Sequence, residues 1–197
     1  RLTGGFPVIE ALATLAHDGR PSEYFRGELI NALKVLDGGH IAVDAMSGSW
    51  AGAMGQVQFM PSSYLSYAQD WDGDGRKDIW NDTADAFASA ANYLANAGWQ
   101  GDQTWGREVR VPDDLDPELV GRDVVKGLNR WQELGVRRAD GRDLPGRDLP
   151  ASLVRPGNDS GPYYVVYDNF RALLRWNRSD YFATAVGNLA DRIARRP

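Results

Sequence analysis

Residues 70–78 read DWDGDGRKD, with acids at 70, 72 and 74 followed by Gly75. Three carboxylates in one tight turn repel each other unless a hard cation sits among them. The spacing matches the first half of the calcium loop D-x-[DN]-x-[DN]-G. Glycine lets the backbone turn, so that the Arg76 carbonyl can join the carboxylates as an oxygen ligand. The second half departs from the pattern, because position twelve holds Asn81 where a Glu would close the site. The closing carboxylate is expected from Asp85, in the first turn of the next helix, with Asp78 assisting through water. The expected ligands of Ca²⁺ are therefore Asp70, Asp72, Asp74, Arg76 and Asp85. The competing reading is a solvated acidic turn. A single such loop argues for a structural clip, fixing the helix from Thr83 against Tyr64–Ala68, rather than a paired sensor.

Hydrophobic spacing supplies the elements that hold this loop. Pro7–Asp18 is predicted as a helix, with Val8, Leu12 and Leu15 on one face and Gly19 as its stop. Pro21–Leu36 is a second, with Phe25, Leu29, Ala32, Leu33 and Leu36 as its stripe. Gly48–Gly55 is rich in small residues, which allow close backbone approach and left-handed turns. A helix restarts at Pro61, and another spans Thr83–Ala97 with Phe87, Ala91 and Leu94 inward. After Trp99 the composition changes. Arg107–Val111 alternates as a strand, and Gly121–Leu134 has helical spacing at Val124, Leu128, Trp131 and Leu134. The tandem GRDLP of 141–150 is expected as a loop. ASLVR and YYVVY are short strands, and two helices follow, the second capped by Ser179. The expected organisation is a helical portion at 1–99, a small α+β insert at 100–167, and helices returning to the first portion at 168–197.

Composition narrows the function classes. The chain has 197 residues, no cysteine and a net charge of −5. It thus has no thiol nucleophile, and its charge opposes a nucleic-acid partner. No apolar run is long enough for a membrane span. Seven Trp and eight Tyr either fill cores or line a cleft with aromatic faces suited to sugars. No organic cofactor is expected.

The stretch GSWAGAMGQVQFMPSSY, the acidic loop and ANYLANAGW, in that order, resemble the MltB-type lytic murein transglycosylases of glycoside hydrolase family 103. TGGFPVIEALATLA and DNFRALLRWNRSDYFATAV resemble flanking parts of the same family, so the likeness runs along nearly the whole chain. It implies a mainly α fold, a lysozyme-like helical core with a small α+β insert. The implied substrate is the peptidoglycan glycan strand, cleaved at the MurNAc–GlcNAc β-1,4 bond to leave 1,6-anhydro-MurNAc. One Glu acts first as acid and then as base, and the sugar's acetamido group stands in for a second carboxylate. Such a Glu needs an apolar, partly buried setting that raises its pKa.

In the family that Glu lies in an E-S-x-[FY]-G stretch. By resemblance it would sit about five residues before Arg1, so no catalytic residue is assigned within 1–197 and the chain alone is expected to be inactive. Glu10, Glu23, Glu28, Glu108, Glu118 and Glu133 are expected to be solvated or to lie in or near the insert, and none is assigned the role. Ser49, Gln58, Tyr93, Trp176, Asn177 and Phe182 match saccharide-facing positions. The alternative readings are a core aromatic for Tyr93, a helix-terminal amide for Gln58 and a turn residue for Asn177. Phe182 stands where the family can show Tyr, which removes a hydroxyl and keeps a stacking face. The resemblance implies a bacterial periplasm or cell envelope, with membrane attachment only through an upstream lipid anchor. The alternatives are a non-enzymatic peptidoglycan-binding protein and a calcium-dependent, dockerin-like adaptor. The adaptor would need a second calcium loop.

Overall fold

The computed structural model describes residues 3–18, 22–157 and 161–194. The Gly19 stop and the Pro21 helix start lie outside the described residues. The chain forms two compact units, Arg1–Tyr93 and Leu94–Pro197. The fold is mainly α, as expected, with seven α-helices among the described residues.

The first unit runs β1 (Phe6–Pro7), α1 (Val8–Asp18), α2 (Ser22–Asp37), β2 (Ser47–Gly48), α3 (Pro61–Tyr67) and the start of α4 (Thr83–Asn96). β1 and β2 pair antiparallel, Phe6 opposite Gly48. α1 follows the predicted face, burying Val8 and Leu12. Glycine is required where that face meets the 48–55 loop. At Gly52, with φ 86°, a Cβ would stand 2.4 Å from Leu12 Cδ2.

Two helices turn other faces inward than the apolar pattern suggests. In α2 the buried residues are Glu28, Ala32 and Val35, at i, i+4 and i+7, while Leu33 is 50% exposed. In α4 the inward residues are Asp85, Ala86 and Ser89, while Phe87 is 72% exposed and Ala91 is also exposed. The cause is the same in both. Asp85 and Ser89 accept hydrogen bonds from backbone N–H groups of segments without regular structure, and Glu28 accepts one from the first turn of α3, groups that would otherwise be unpaired. That demand sets the rotation of the helices.

The second unit is organised by a sheet with strands β3 (Gly106–Arg110), β4 (Val125–Gly127), β5 (Arg137–Arg138), β6 (Pro150–Val154) and β7 (Tyr163–Val166). All neighbours are antiparallel, in the order β4-β6-β7-β3-β5. Both faces are covered. Val109, Leu153 and Val165 pack with Trp131 and Tyr167, while Val154, Tyr164 and Val166 pack with Trp105, Phe170, Leu173 and Ala183. The last three belong to α6 (Asp168–Trp176) and α7 (Asp180–Ala194), so these helices pack on the sheet. At Gly187 a Cβ would stand 2.2 Å from the Trp105 ring, so α7 approaches that ring through a position without a side chain.

The helix expected over 121–134 is shorter. Residues 125–127 pair with β6, and only Leu128–Glu133 forms α5. The apolar spacing had a real cause, since Val124, Leu128, Trp131 and Leu134 all serve one core, but the first of them reaches it from outside the helix. The duplicated GRDLP is irregular up to Pro150, which opens β6. Ser179 caps α7 as expected, its Oγ accepting the Phe182 N–H at 3.3 Å.

Candidate functional site

The acidic loop is built around Asp85. Its buried carboxylate accepts the Trp71 N–H at 2.7 Å and the Asp78 N–H at 2.8 Å, so α4 grips both sides of the loop. Asp70 accepts from Gly73 N–H at 2.7 Å and Gly75 N–H at 2.9 Å, which curls the chain around its side chain. Carboxylate oxygens of Asp70, Asp72 and Asp85 come within 4.8 Å of one another. Asp74 is not in that group, and its carboxylate accepts the Arg76 N–H at 2.7 Å. Asp78 is used locally, accepting from the N–H groups of Trp80 and Asn81.

Three convergent carboxylates on a glycine-turned loop fit a hard divalent cation. The electrostatics agree. The Asp74 N–H bonded to Asp72 favours that carboxylate's charged form. Desolvation and the charges of Asp74, Asp85 and Asp82 outweigh it, so Asp72 is held above the usual carboxylate range.

The 48–62 segment is a compact hairpin that hands over to α3. Met54 and Phe59 exchange backbone hydrogen bonds of 2.7 and 3.1 Å. Ser49 Oγ accepts the Ala51 and Ala53 N–H groups at 3.3 and 3.1 Å, so the hydroxyl fixes the turn. Gln58 sits in the left-handed region at φ 52°, a conformation non-glycine residues enter only when their surroundings hold them there. Its amide donates to the Gly55 and Thr3 carbonyls at 2.8 and 3.2 Å. Tyr93 meets Phe59 at 5.7 Å and Tyr67 at 4.9 Å between ring centroids, half-buried in an aromatic group.

Glu28 is a correction. The sequence suggested a solvated carboxylate, but it is 4% exposed. Ser62 donates to it through N–H and Oγ–H, at 2.9 and 2.6 Å, so it caps α3 directly after the Gln58–Met60 stretch. The available signal was its spacing with Ala32 and Val35, which hydrophobicity alone overlooks. Among the described residues, Glu28 and Asp85 are the buried carboxylates, and both are occupied by internal bonds. Glu10 and Glu108 are exposed.

Ser49, Gln58 and Tyr93 belong to the first unit, and Trp176, Asn177 and Phe182 to the second. Trp176 ends α6 half-buried. Asn177 is exposed and accepts the Ser179 N–H at 3.0 Å, a turn role. Phe182 is half-buried in the first turn of α7.

With this geometry in hand, comparison with known families decides the assignment. The transglycosylase SLT domain matches residues 1–191.

The chain belongs to that family.

It is 35% identical over 202 residues to membrane-bound lytic murein transglycosylase B of Escherichia coli K12, covering 98% of this chain and 53% of that protein. It therefore spans about half the length of that curated relative. Among solved structures, SltB3 of Pseudomonas aeruginosa in complex with NAG-anhNAM-pentapeptide matches at TM-score 0.94 and 46% identity. That match covers 98% of this chain and 52% of SltB3. The Escherichia coli lytic transglycosylase Slt35 in complex with calcium matches at TM-score 0.84 and 34% identity, covering 98% and 61%. These family members bear out the lysozyme-like expectation and the recognition drawn from the motifs.

Proposed function

We propose that this chain is the glycan-binding part of a lytic transglycosylase that cleaves the MurNAc–GlcNAc β-1,4 bond of peptidoglycan and leaves 1,6-anhydro-MurNAc ends. The observation that carries the reading is the 48–62 hairpin. Backbone bonds pair Met54 with Phe59 and Ser49 with Ala53, Gln58 is held in a left-handed conformation, and Tyr93 presents an aromatic face beside Phe59. Hydroxyl and amide groups held this way suit the acetamido and ring oxygens of a sugar, and aromatic faces suit its C–H surface. In this reading Ser49, Gln58 and Tyr93 contact saccharide, as do Trp176, Asn177 and Phe182.

The reaction needs one carboxyl group able to give and then take a proton. Glu28 and Asp85 cannot serve without giving up the backbone groups they hold. The acid/base is therefore not among the buried carboxylates of the described residues. Asp70, Asp72 and Asp85 would hold Ca²⁺, which supplies charge neutralisation that lets these carboxylates stay close. Asp74, Arg76 and a water-bridged Asp78 complete the proposed set. The role is structural, binding α4 to the loop. The site of action is the bacterial cell envelope, where the murein lies.

The test is digestion of murein sacculi followed by mass spectrometry of the soluble products. The 197-residue chain is expected to bind sacculi and release no anhydro-muropeptides, and the full-length protein to release them. Absence of anhydro products from the full-length protein would favour a binding protein without activity. Release by the chain alone would assign catalysis to one of its own acids.

A further inference from the structure

A cleft lies within the second unit. Its volume is about 350 Å³, within the roughly 300–1,000 Å³ of small-ligand sites. Arg107 and Glu108 of β3, Arg138 of β5, Asp140 just after it, and Asn188 and Asp191 of α7 line it, beside Trp105. Register puts Arg138 opposite Val109, and Arg107 two residues before Val109 on the same face of β3.

Two guanidinium groups on one face repel; Asp140, in the same lining, offsets part of the Arg138 charge, and the Arg107 guanidinium stands over the Tyr167 ring at 5.8 Å. Among the described residues, neither Arg107 nor Arg138 forms a salt bridge. The nearby Asp140 is taken by Arg142 at 2.6 Å, which pulls the Asp140 carboxyl down to about 2. Arg107 Nε donates to the buried Tyr167 hydroxyl at 3.0 Å, leaving its terminal nitrogens for other partners. Arg138 Nε is buried and has no hydrogen-bond partner. A buried donor left unpaired costs free energy, and the planar fork of arginine matches a carboxylate with two parallel bonds. The other wall differs in character. Glu108 and Asp191 carry acceptor oxygens, one of which takes the Trp105 indole N–H at 3.4 Å, while the Asn188 amide nitrogen is held by the Thr184 carbonyl and the Tyr164 hydroxyl. A bare inorganic anion would meet repulsion there, whereas a peptide end presents a carboxylate at one point and N–H donors beside it.

We propose that the Arg107–Arg138 cleft of the second unit binds the free C-terminal carboxylate of a peptide, with Glu108 and Asp191 accepting the adjoining N–H groups. Resting on the peptidoglycan reading, the peptide is the stem carried by the glycan, the kind of group present on the ligand of SltB3. The cleft would then discriminate peptide-bearing from bare glycan.

The experiment is a titration of the 197-residue chain, followed by calorimetry and by arginine side-chain NMR. The probes are a stem pentapeptide with a free C-terminus, its C-terminal amide, and a NAG–NAM disaccharide without peptide. The free acid is expected to bind and to move the Arg107 and Arg138 resonances, with the amide at least ten-fold weaker. Arg107→Gln and Arg138→Gln are each expected to weaken the free acid at least ten-fold at an unchanged melting temperature. If a variant unfolds, the wild-type resonances and the acid-to-amide ratio still decide. Equal binding of acid and amide, or arginine resonances that stay still, overturns the proposal. Disaccharide binding without peptide binding removes this inference and leaves the glycan reading standing. Peptide binding at the arginines with no disaccharide binding does the reverse.

Discussion

The two units reach order by different means. The sheet of the second unit is a two-faced apolar core, in which β6 and β7 send alternate residues into different clusters. The loops of the first unit between 48 and 85, and the start of α3 among them, are held by side chains that accept backbone N–H groups, namely Ser49, Glu28, Asp85 and Ser89. Apolar packing fixes strands and leaves few polar groups over. Polar bracing fixes irregular backbone, and irregular backbone is what sets a Gln in a left-handed conformation or curls three acids around one point.

Substitutions can break that comparison. The largest effect is expected at Trp131, which is fully buried and whose indole N–H donates to the Ala151 carbonyl at 2.9 Å. Trp131→Ala should cost about 3–5 kcal/mol in chemical denaturation, from lost burial and an unfilled cavity. Next is Asp85→Ala, about 3 kcal/mol, because two backbone N–H groups lose their acceptor together. If Asp85→Ala proved as mild as a surface change, polar bracing would not be what holds the first unit.

Calcium sharpens the point. Binding to the folded state alone stabilises by about 2.7 kcal/mol at 100 times the dissociation constant. Chelation should lower the melting temperature of the wild type and leave Asp85→Asn almost unmoved. Glu28→Gln is expected to cost about 1–2 kcal/mol, since an amide keeps one acceptor for Ser62 and loses the charge.

The smallest effect concerns pH. Burial, and then the charge of Lys77, push the His40 imidazole below its ordinary value, against a smaller opposing pull from Asp70. A group with a lowered folded pKa favours the neutral form in the fold. Stability from His40 is therefore complete above its unfolded value, roughly 6.5. It declines as pH falls through the folded value. The melting temperature should drop from pH 7 to 5, and drop less in His40→Gln.

How much of this was legible follows the same division. Acid spacing at 70, 72 and 74 and the glycine at 75 announced the loop, because local turn chemistry is written in adjacent residues. Asp85 was found from across the loop by asking what could replace the missing twelfth ligand. The two-strand reading of 150–166 and the cap at Ser179 also rested on local pattern. The misreadings lay where a polar group is buried. Glu28 and the inward face of α4 obey the needs of a distant backbone, which no periodicity of apolar residues encodes. The shortened α5 had another cause, since the strand at 125–127 exists only because β6, more than twenty residues later, supplies its partner.

The central claim is that the 48–62 hairpin with Tyr93 is a saccharide site. Calorimetric titration with a peptide-free NAG–NAM tetrasaccharide tests it most directly, comparing the wild type with Gln58→Asn, a residue that tolerates the left-handed conformation, and with Tyr93→Ala. The expected result is binding by the wild type, weakened at least ten-fold in both variants, with the melting temperature of Gln58→Asn unchanged. Absence of binding by the folded wild type, or equal binding by all three, would contradict it.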